Sequence, residues 1–463
     1  MVFSSLVFLF LFLPVVIIIN YWLPSNYRNG FLFFANLIFY AYGEPVYVIL
    51  MLVSVLGNYL FARILDPEQI KQSDKIRKAV LFLSIVFNIG MLVYFKYTVL
   101  ILDTLRLIPF LGNLPHVNIV LPIGISFYTF QAMSYVIDVY RRDCRCTRNF
   151  IDFGAYISLF PQLIAGPIVR YADVASQIRN RRSTFDMFSS GIKLFVVGLA
   201  KKVLLANQFG IIWETVYSDL SVYGTGGAWI GAIAYALQIY FDFGGYSDMA
   251  RGLGKMLGFE FCINFSYPYI SRTITEFWRR WHISLSTWFR DYVYIPLGGN
   301  RVSLLRNALN IIIVWALTGL WHGAGWNFLA WGIYYGIILL CEKFVYGKAL
   351  KKLPAVFGHI YTLFIVVVGW IFFVCPDFGS AFNYLKVMFV PQGGNVSTLI
   401  PWWFTFVVGF VSCTPLCTAL LGTVKLKVKG VRVLETLICI VGFILCVASL
   451  VTETYNPFIY FQF

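Results

Sequence analysis

Apolar runs of about 20 residues, the length a helix needs to cross a bilayer's hydrocarbon, recur from one end of this chain to the other. They fall near 4–23, 31–42, 46–64, 79–101, 118–139, 187–210, 227–243, 303–320, 326–342, 359–375, 398–421 and 432–452, a few of them short. The Gly43-Glu44-Pro45 break makes 31–64 two short helices or one kinked one, because proline clashes with the preceding turn. Hydrophobic residues make up 59% of the 463 and charged residues 12%, whereas a soluble domain runs near half apolar and a quarter charged. A soluble globular protein is excluded, and so is a disordered chain, which lacks this much apolar surface. Nine cysteines in 463 residues are ordinary usage and no disulfide framework. The expected fold class is an all-α polytopic membrane protein.

The formal charge of +15 would point to nucleic acid in a soluble protein. Here cytoplasmic loops facing anionic lipid account for it, with no nucleic-acid partner. Segments 63–78, 141–148, 343–352 and 425–432 are basic and are expected inside, whereas 211–226 and 376–380 carry no Lys or Arg. Counting spans from either set puts the N-terminus outside. Met1–Tyr21 has neither a positive leader nor a small-residue cleavage site and reads as a retained first span. Segment 151–168, apolar with Pro161, Gly166 and Pro167, breaks the alternation, since cations flank it on both sides. It is expected to be re-entrant from the cytoplasm, which requires its irregular backbone to be buried in protein or to line a cavity.

Ionisable residues at membrane depth are costly and therefore mark candidate sites. His116 and His359 sit in a loop and at a basic span edge, where no special role is needed. His322 lies in Thr318-Gly319-Leu320-Trp321-His322-Gly323-Ala324-Gly325-Trp326-Asn327, where glycines leave room beside an imidazole walled by tryptophan. A structural histidine bonded to a carbonyl would fit that segment as well. His282 lies in Thr273–Tyr294, a stretch too charged to span lipid but amphipathic at helical period. At about 100° per residue, Trp278, Trp281, Leu285, Trp288 and Phe289 share one arc with His282 on its edge. A membrane-surface helix would show the same pattern.

Tyr240-Phe241-Asp242-Phe243-Gly244-Gly245-Tyr246-Ser247-Asp248 places two carboxylates at a span end, as catalytic groups or as partners for Arg251, Arg279 or Arg280. Leu121 to Gln131 places a polar stripe inside another span. No Gly-x-Ser-x-Gly elbow, P-loop or Gly-x-Gly-x-x-Gly is present, which argues against covalent hydrolase chemistry and nucleotide hydrolysis. Cys144 and Cys146 lack a second pair or a nearby histidine, so no metal site is expected.

The ordered motifs Leu121-Pro122-Ile123-Gly124-Ile125-Ser126-Phe127, Pro161-Gln162-Leu163-Ile164-Ala165-Gly166-Pro167-Ile168, Tyr240-Phe241-Asp242-Phe243, Trp278-Arg279-Arg280-Trp281-His282-Ile283-Ser284-Leu285-Ser286 and Trp321-His322-Gly323 carry a resemblance. The chain resembles the membrane-bound O-acyltransferase superfamily, and within it the bacterial alginate O-acetylation type, related to the D-alanyl transfer protein of teichoic acid synthesis. The likeness runs over essentially the whole chain, from Val2-Phe3-Ser4-Ser5 to Tyr455-Asn456-Pro457-Phe458.

That resemblance implies one membrane domain over 1–463, with a catalytic core region at 118–345. It implies a ring of about 11–12 spans with re-entrant and amphipathic helices around a central funnel. It carries catalytic roles onto His322 and His282. Trp281, Ser284, Arg280, Asp242, Tyr240, Trp321, Asn327 and Gln131 are the candidate substrate-binding side chains. No tightly bound cofactor or metal is expected. The co-substrate would be an acyl thioester, acetyl-coenzyme A or an acyl carrier, supplied from the cytoplasm across a bacterial inner membrane. The acceptor would be an extracytoplasmic glycan, reached directly or through an acetyltransferase partner protein outside. A polysaccharide or lipid transporter without chemistry is the alternative, though no internal repeat of the inverted type is visible.

Overall fold

The computed structural model describes the chain apart from residues 67, 69–71, 417, 420–430, 453–454 and 460–463 and the side chains of 431–432. Lys425, Lys427 and Lys429 of the expected basic loop, Lys71 and the end of the expected span 398–421 lie outside the described residues. No strand occurs among the described residues, and seven of their helices are long and apolar enough to cross a bilayer. Phe8–Trp22 and Ser397–Ser412 are shorter apolar helices. The protein is an all-α, multi-pass membrane protein. It divides into two compact units, Met1–Phe195 with Met249–Cys262, and Val196–Asp248 with Ile263–Phe463. Of the expected core region 118–345, residues 118–195 belong to the first unit and both candidate histidines to the second.

The first unit contains α1 (Leu13–Trp22), α2 (Ser25–Ala41), α3 (Tyr47–Leu65), α4 (Asp74–Leu92), α5 (Thr98–Arg106), α6 (Ile125–Arg141), α7 (Phe150–Ser158), α8 (Phe160–Leu163) and α9 (Tyr171–Arg179). The Gly43–Pro45 break separates α2 from α3, giving two helices. The helix expected from 118 begins only at Ile125, because Pro122 and Gly124 hold the preceding residues out of helical geometry. Gly124 has φ +75°, and a Cβ there would lie 2.7 Å from the Leu163 carbonyl oxygen, so both the backbone angle and the close approach demand glycine.

Segment 151–168 is a broken helix, α7 then α8, nearly all of it buried from Phe153 onward. Backbone freed by such a break needs side-chain partners. Asn36 of α2 supplies several: its Oδ1 accepts from the Phe160 N–H at 3.1 Å, and its Nδ2 donates to the Ala155 carbonyl at 3.4 Å and Ser158 Oγ at 3.3 Å. Gln162 Nε2 donates to the Tyr156 carbonyl at 2.6 Å. The Val169 carbonyl accepts from Tyr156 Oη and Gln131 Nε2. Irregular backbone is therefore buried in protein here, as a re-entrant segment requires.

Through the second unit run the end of α10 (Phe185–Ala200), α11 (Asn207–Ser218), most of α12 (Leu220–Met256), α13 (Ile274–Arg280), α14 (Ile283–Phe289), α15 (Leu304–His322), α16 (Trp326–Cys341), α17 (Gly347–Leu350), α18 (Ala355–Val374), α19 (Phe378–Phe389), α20 (Trp403–Ser412) and α21 (Val431–Thr452). Residues 211–226, expected as a loop, are largely helical, because Ile212, Trp213 and Val216 lie on one buried face. The span expected over 398–421 is helical in two pieces, a 3₁₀ stretch containing Pro401 and then α20, which stops at Ser412. The amphipathic stretch 273–294 is also broken, since Trp281 is extended after α13 and His282 takes φ +45° before α14 begins. Its single-helix wheel therefore does not hold.

α15 and α16 cross closely where both are glycine: a Cβ at Gly319 would sit 2.2 Å from the Phe328 carbonyl oxygen, and one at Gly332 2.2 Å from that of Trp315. Small residues are what membrane helices use for such contacts. The crossing fixes the end of α15, which carries His322.

The cationic flanks and the buried break at 151–168 lead to a topology test. Single cysteines at positions 145 and 179, on a cysteine-depleted background, should resist a membrane-impermeant maleimide in sealed cells and react after permeabilisation. Labelling of either in sealed cells would overturn the re-entrant reading.

Candidate active site

The second unit holds a cavity of about 1290 Å³ whose walls include both His282 and His322. That is ample for a bulky organic ligand. His322 is the last residue of α15 and is 5% exposed, its ring packed edge-to-face on Trp321, Trp331 and Phe373 with centroids 5.0–5.2 Å away. The space that Gly323 and Gly325 were expected to leave is partly filled: a Cβ at Gly323 would lie 2.1 Å from the Phe328 ring.

His282, 2% exposed, sits 6.4 Å from His322 between ring centroids, with Trp321 touching both. Phe243 packs edge-to-face on it at 4.7 Å. Left-handed backbone at a non-glycine residue is uncommon and concentrates at functional sites. Here it is held by Asn264, in the non-helical segment after α12: the Ile283 N–H donates to the Asn264 carbonyl at 3.0 Å and the Ser284 N–H to Asn264 Oδ1 at 3.1 Å. Ser284 Oγ and His282 Nδ1 reach the same Oδ1 at 3.0 and 3.3 Å. His282 Nε2 is buried and has no hydrogen-bond partner among the described residues.

A carboxylate anchors the start of the same segment. Glu342, just after α16, accepts from the Ile274 N–H (2.6 Å), the Thr275 N–H (2.8 Å) and Thr275 Oγ1 (2.6 Å), with Tyr361 Oη at 3.1 Å. Negative charge at a helix N-terminus is favourable, so Glu342 pins α13. Neither Asn264 nor Glu342 was singled out from sequence. Glu342 carried a signal, an acid at the end of an apolar span, whereas Asn264 lies outside any periodic element.

The cavity wall is strongly cationic. Arg272, Arg279, Lys348 and Lys351 line it without a carboxylate partner among the described residues. Arg290, by contrast, pairs with Asp291 at 2.7 Å, and Lys343 Nζ is bound to Asn300 and Asn307 at 2.6 and 2.7 Å.

Of the ten side chains proposed from sequence, only His282 and His322 line the cavity. Trp281 is core, against Phe265, Phe277 and Trp370. Tyr240 supports Trp281 and Tyr269. Ser284 is held by Asn264, and Trp321 wedges between the histidines. Arg280 reaches Glu276 and the Ser266 carbonyl, closing the loop onto α13. Asn327 donates to the Cys375 carbonyl at 3.0 Å. Gln131 is in the first unit, bonded to Val169.

Asp242 forms a buried pair with Lys202 at 2.7 Å and accepts from the Ile459 N–H, while Asp248 pairs with Lys201 at 2.7 Å. Both of these partners are lysines inside the apolar run 187–210, a placement that is itself a signal. Lys202 also donates to the Pro457 carbonyl, and Asn207 Nδ2 to that of Tyr455. Asp242 and Lys202 therefore dock the chain's last described residues on the core. Among the described residues no cluster of His, Cys, Asp and Glu is arranged to hold a metal.

Burial pushes the His282 pKa down to about 3. An unfolded imidazole binds its proton below about pH 6.5, so the unfolded chain holds more protons than the native one between those values, and native stability falls as pH drops through the window. Thermal midpoints in detergent should therefore decline from pH 7 to 4.5, and His282→Asn should make that decline shallower. Equal slopes would mean that the ring is not held neutral.

A family model for MBOAT, the membrane-bound O-acyltransferase family, matches residues 144–381, which include both histidines and Asn264. The chain is 42% identical over 435 residues to a probable alginate O-acetylase of Azotobacter vinelandii, covering 93% of this chain and 85% of that one. It is 32% identical to a peptidoglycan O-acetyltransferase of Helicobacter pylori, over 84% and 80% of the two chains. A teichoic acid D-alanyltransferase of Streptococcus thermophilus is 34% identical over 47% of this chain and 56% of its own.

Proposed function

The chain belongs to the membrane-bound O-acyltransferase family, and from that premise we propose that it moves an acetyl group from a cytoplasmic thioester to a hydroxyl of a secreted polysaccharide. The supporting observation is a single cavity that joins four uncompensated cations to two buried histidines. Phosphates of a coenzyme A or carrier thioester suit the cations, and the acyl carbon suits the histidine end. The relatives' names, with alginate and peptidoglycan as acceptors, favour a glycan. The membrane would be the bacterial cytoplasmic one, with the N-terminus outside and glycan arriving on the outer face. An extracytoplasmic acetyltransferase could receive the group instead and pass it on.

In this reading the His322 imidazole takes the proton of the acceptor hydroxyl. The oxygen attacks the thioester carbonyl to give a tetrahedral intermediate. The C–S bond then breaks, and the imidazolium returns the proton to the departing thiolate. His282 accepts a hydrogen bond through Nε2 and orients the reacting groups. With no nucleophile signature in the sequence, transfer is direct, within a ternary complex. No resident cofactor takes part.

His322→Ala should leave a folded, membrane-inserted protein with transfer reduced at least about a hundredfold, the usual scale for a positioned general base. Near-wild-type turnover would overturn the assignment of the base. Arg279→Glu combined with Lys348→Glu should raise the donor KM about tenfold with a smaller effect on kcat, as expected for lost uniform binding. An unchanged KM would remove the cations from donor recognition. In vesicles of known orientation, transfer should need thioester on the cytoplasmic face and glycan on the other. Transfer only with both on one face would make this a one-sided enzyme.

A further inference from the structure

Asn264 Oδ1 is approached by three groups: the Ser284 N–H, Ser284 Oγ and His282 Nδ1. The backbone N–H is a donor in every state, so the amide atom facing it must be the oxygen. A flipped amide would point N–H at N–H. With the oxygen fixed, His282 Nδ1 can be close to it only as N–H. The neutral ring then carries its lone pair on Nε2, the atom left buried without a hydrogen-bond partner among the described residues. A buried acceptor without a partner costs stability, and in the wall of a cavity it is a group prepared for a donor that the protein itself does not provide.

We infer that Asn264 is a positioning residue for acyl transfer: it sets the His282 tautomer and, through the Ile283 and Ser284 amides, the left-handed turn that presents Nε2 as an acceptor at the cavity wall. Substrate's own O–H or N–H is the donor this acceptor takes. The inference rests on the acyl-transfer reading of the two histidines and deepens it. Asn264 itself does not line the cavity, so it acts through His282 and touches no reacting atom.

The test uses the full-length protein in proteoliposomes with acetyl-coenzyme A and a soluble glycan oligomer, and compares Asn264→Leu, Asn264→Asp and His282→Ala. Asn264→Leu keeps the branching at Cγ but removes the acceptor, and should lower kcat about tenfold or more, the scale of outer-shell partners, with the donor KM within about twofold. Asn264→Asp restores an oxygen at the same place and should recover at least about a third of wild-type kcat. In a His282→Ala background, Asn264→Leu should cost little further, because the two act as one unit. Full additivity there, or a folded Asn264→Asp as slow as Asn264→Leu, would overturn the inference. Should Asn264→Leu not accumulate, Asn264→Asp decides alone: a folded protein more than about tenfold slow would sink the idea. If His282→Ala itself turns over normally, it is the acyl-transfer reading of His282 that has failed.

Discussion

A helix broken inside a water-poor core must find new partners for the amide groups it frees, because each one left bare costs on the order of 1–3 kcal/mol. At two breaks the freed amides are met by an asparagine from another segment, 124 residues away at Phe160 and 18 at His282. Asn36 answers the interruption between α7 and α8. Asn264 answers the one at His282, where it receives two consecutive backbone amides. A primary amide suits this work, since it offers an acceptor and two donors on one short, rigid arm. At His282 the same atom that satisfies the Ser284 amide also lies 3.3 Å from the imidazole Nδ1, so the repair and the orientation of the ring share one oxygen.

The supports around that turn come from both of its sides. Glu342 holds the start of α13 and Arg280 ties its end to the Ser266 carbonyl, so the segment before His282 is fixed at both ends. Trp281 is locked among Phe265, Phe277 and Trp370. On the other histidine, the close crossing of α15 and α16 at Gly319 and Gly332 fixes the helix that ends at His322. The two imidazoles are thus fixed by different backbone supports and share the Trp321 ring packed between them.

The sequence made the membrane class, the broken segment at 151–168 and both cavity-lining histidines legible, because each leaves a local mark: apolar runs, cations flanking a proline-glycine stretch, and an ionisable ring among tryptophans. What it hid was contact at long range. Tyr240, Trp281, Asp242 and Gln131 look like site residues because polar or aromatic groups in apolar runs are unusual, yet their partners are the core, a buried lysine and a carbonyl. Asn264 is the opposite case, an asparagine in a non-helical segment that only the contacts folded onto it pick out. The wheel drawn through 273–294 placed His282 on an aromatic face for the wrong reason: periodicity assumes an unbroken helix, and the break is at the histidine itself.

The aromatic walls have a chemical consequence beyond packing. A thioester is open to attack by water as well as by an alcohol, so an enzyme that holds one must keep water from the acyl carbon while admitting a hydroxyl. Trp321, Trp331, Phe373, Phe243 and Phe265 surround the two imidazoles. Their ring faces offer a water no hydrogen-bond partner, and a site water needs two to four of them, while the Trp331 indole N–H is one polar atom buried among them. Arg272, Arg279, Lys348 and Lys351 line the same cavity. Aromatic walls of this kind suit a neutral imidazole better than a carboxylate, since a buried carboxylate would need hydrogen-bond donors or a cation to offset its desolvation.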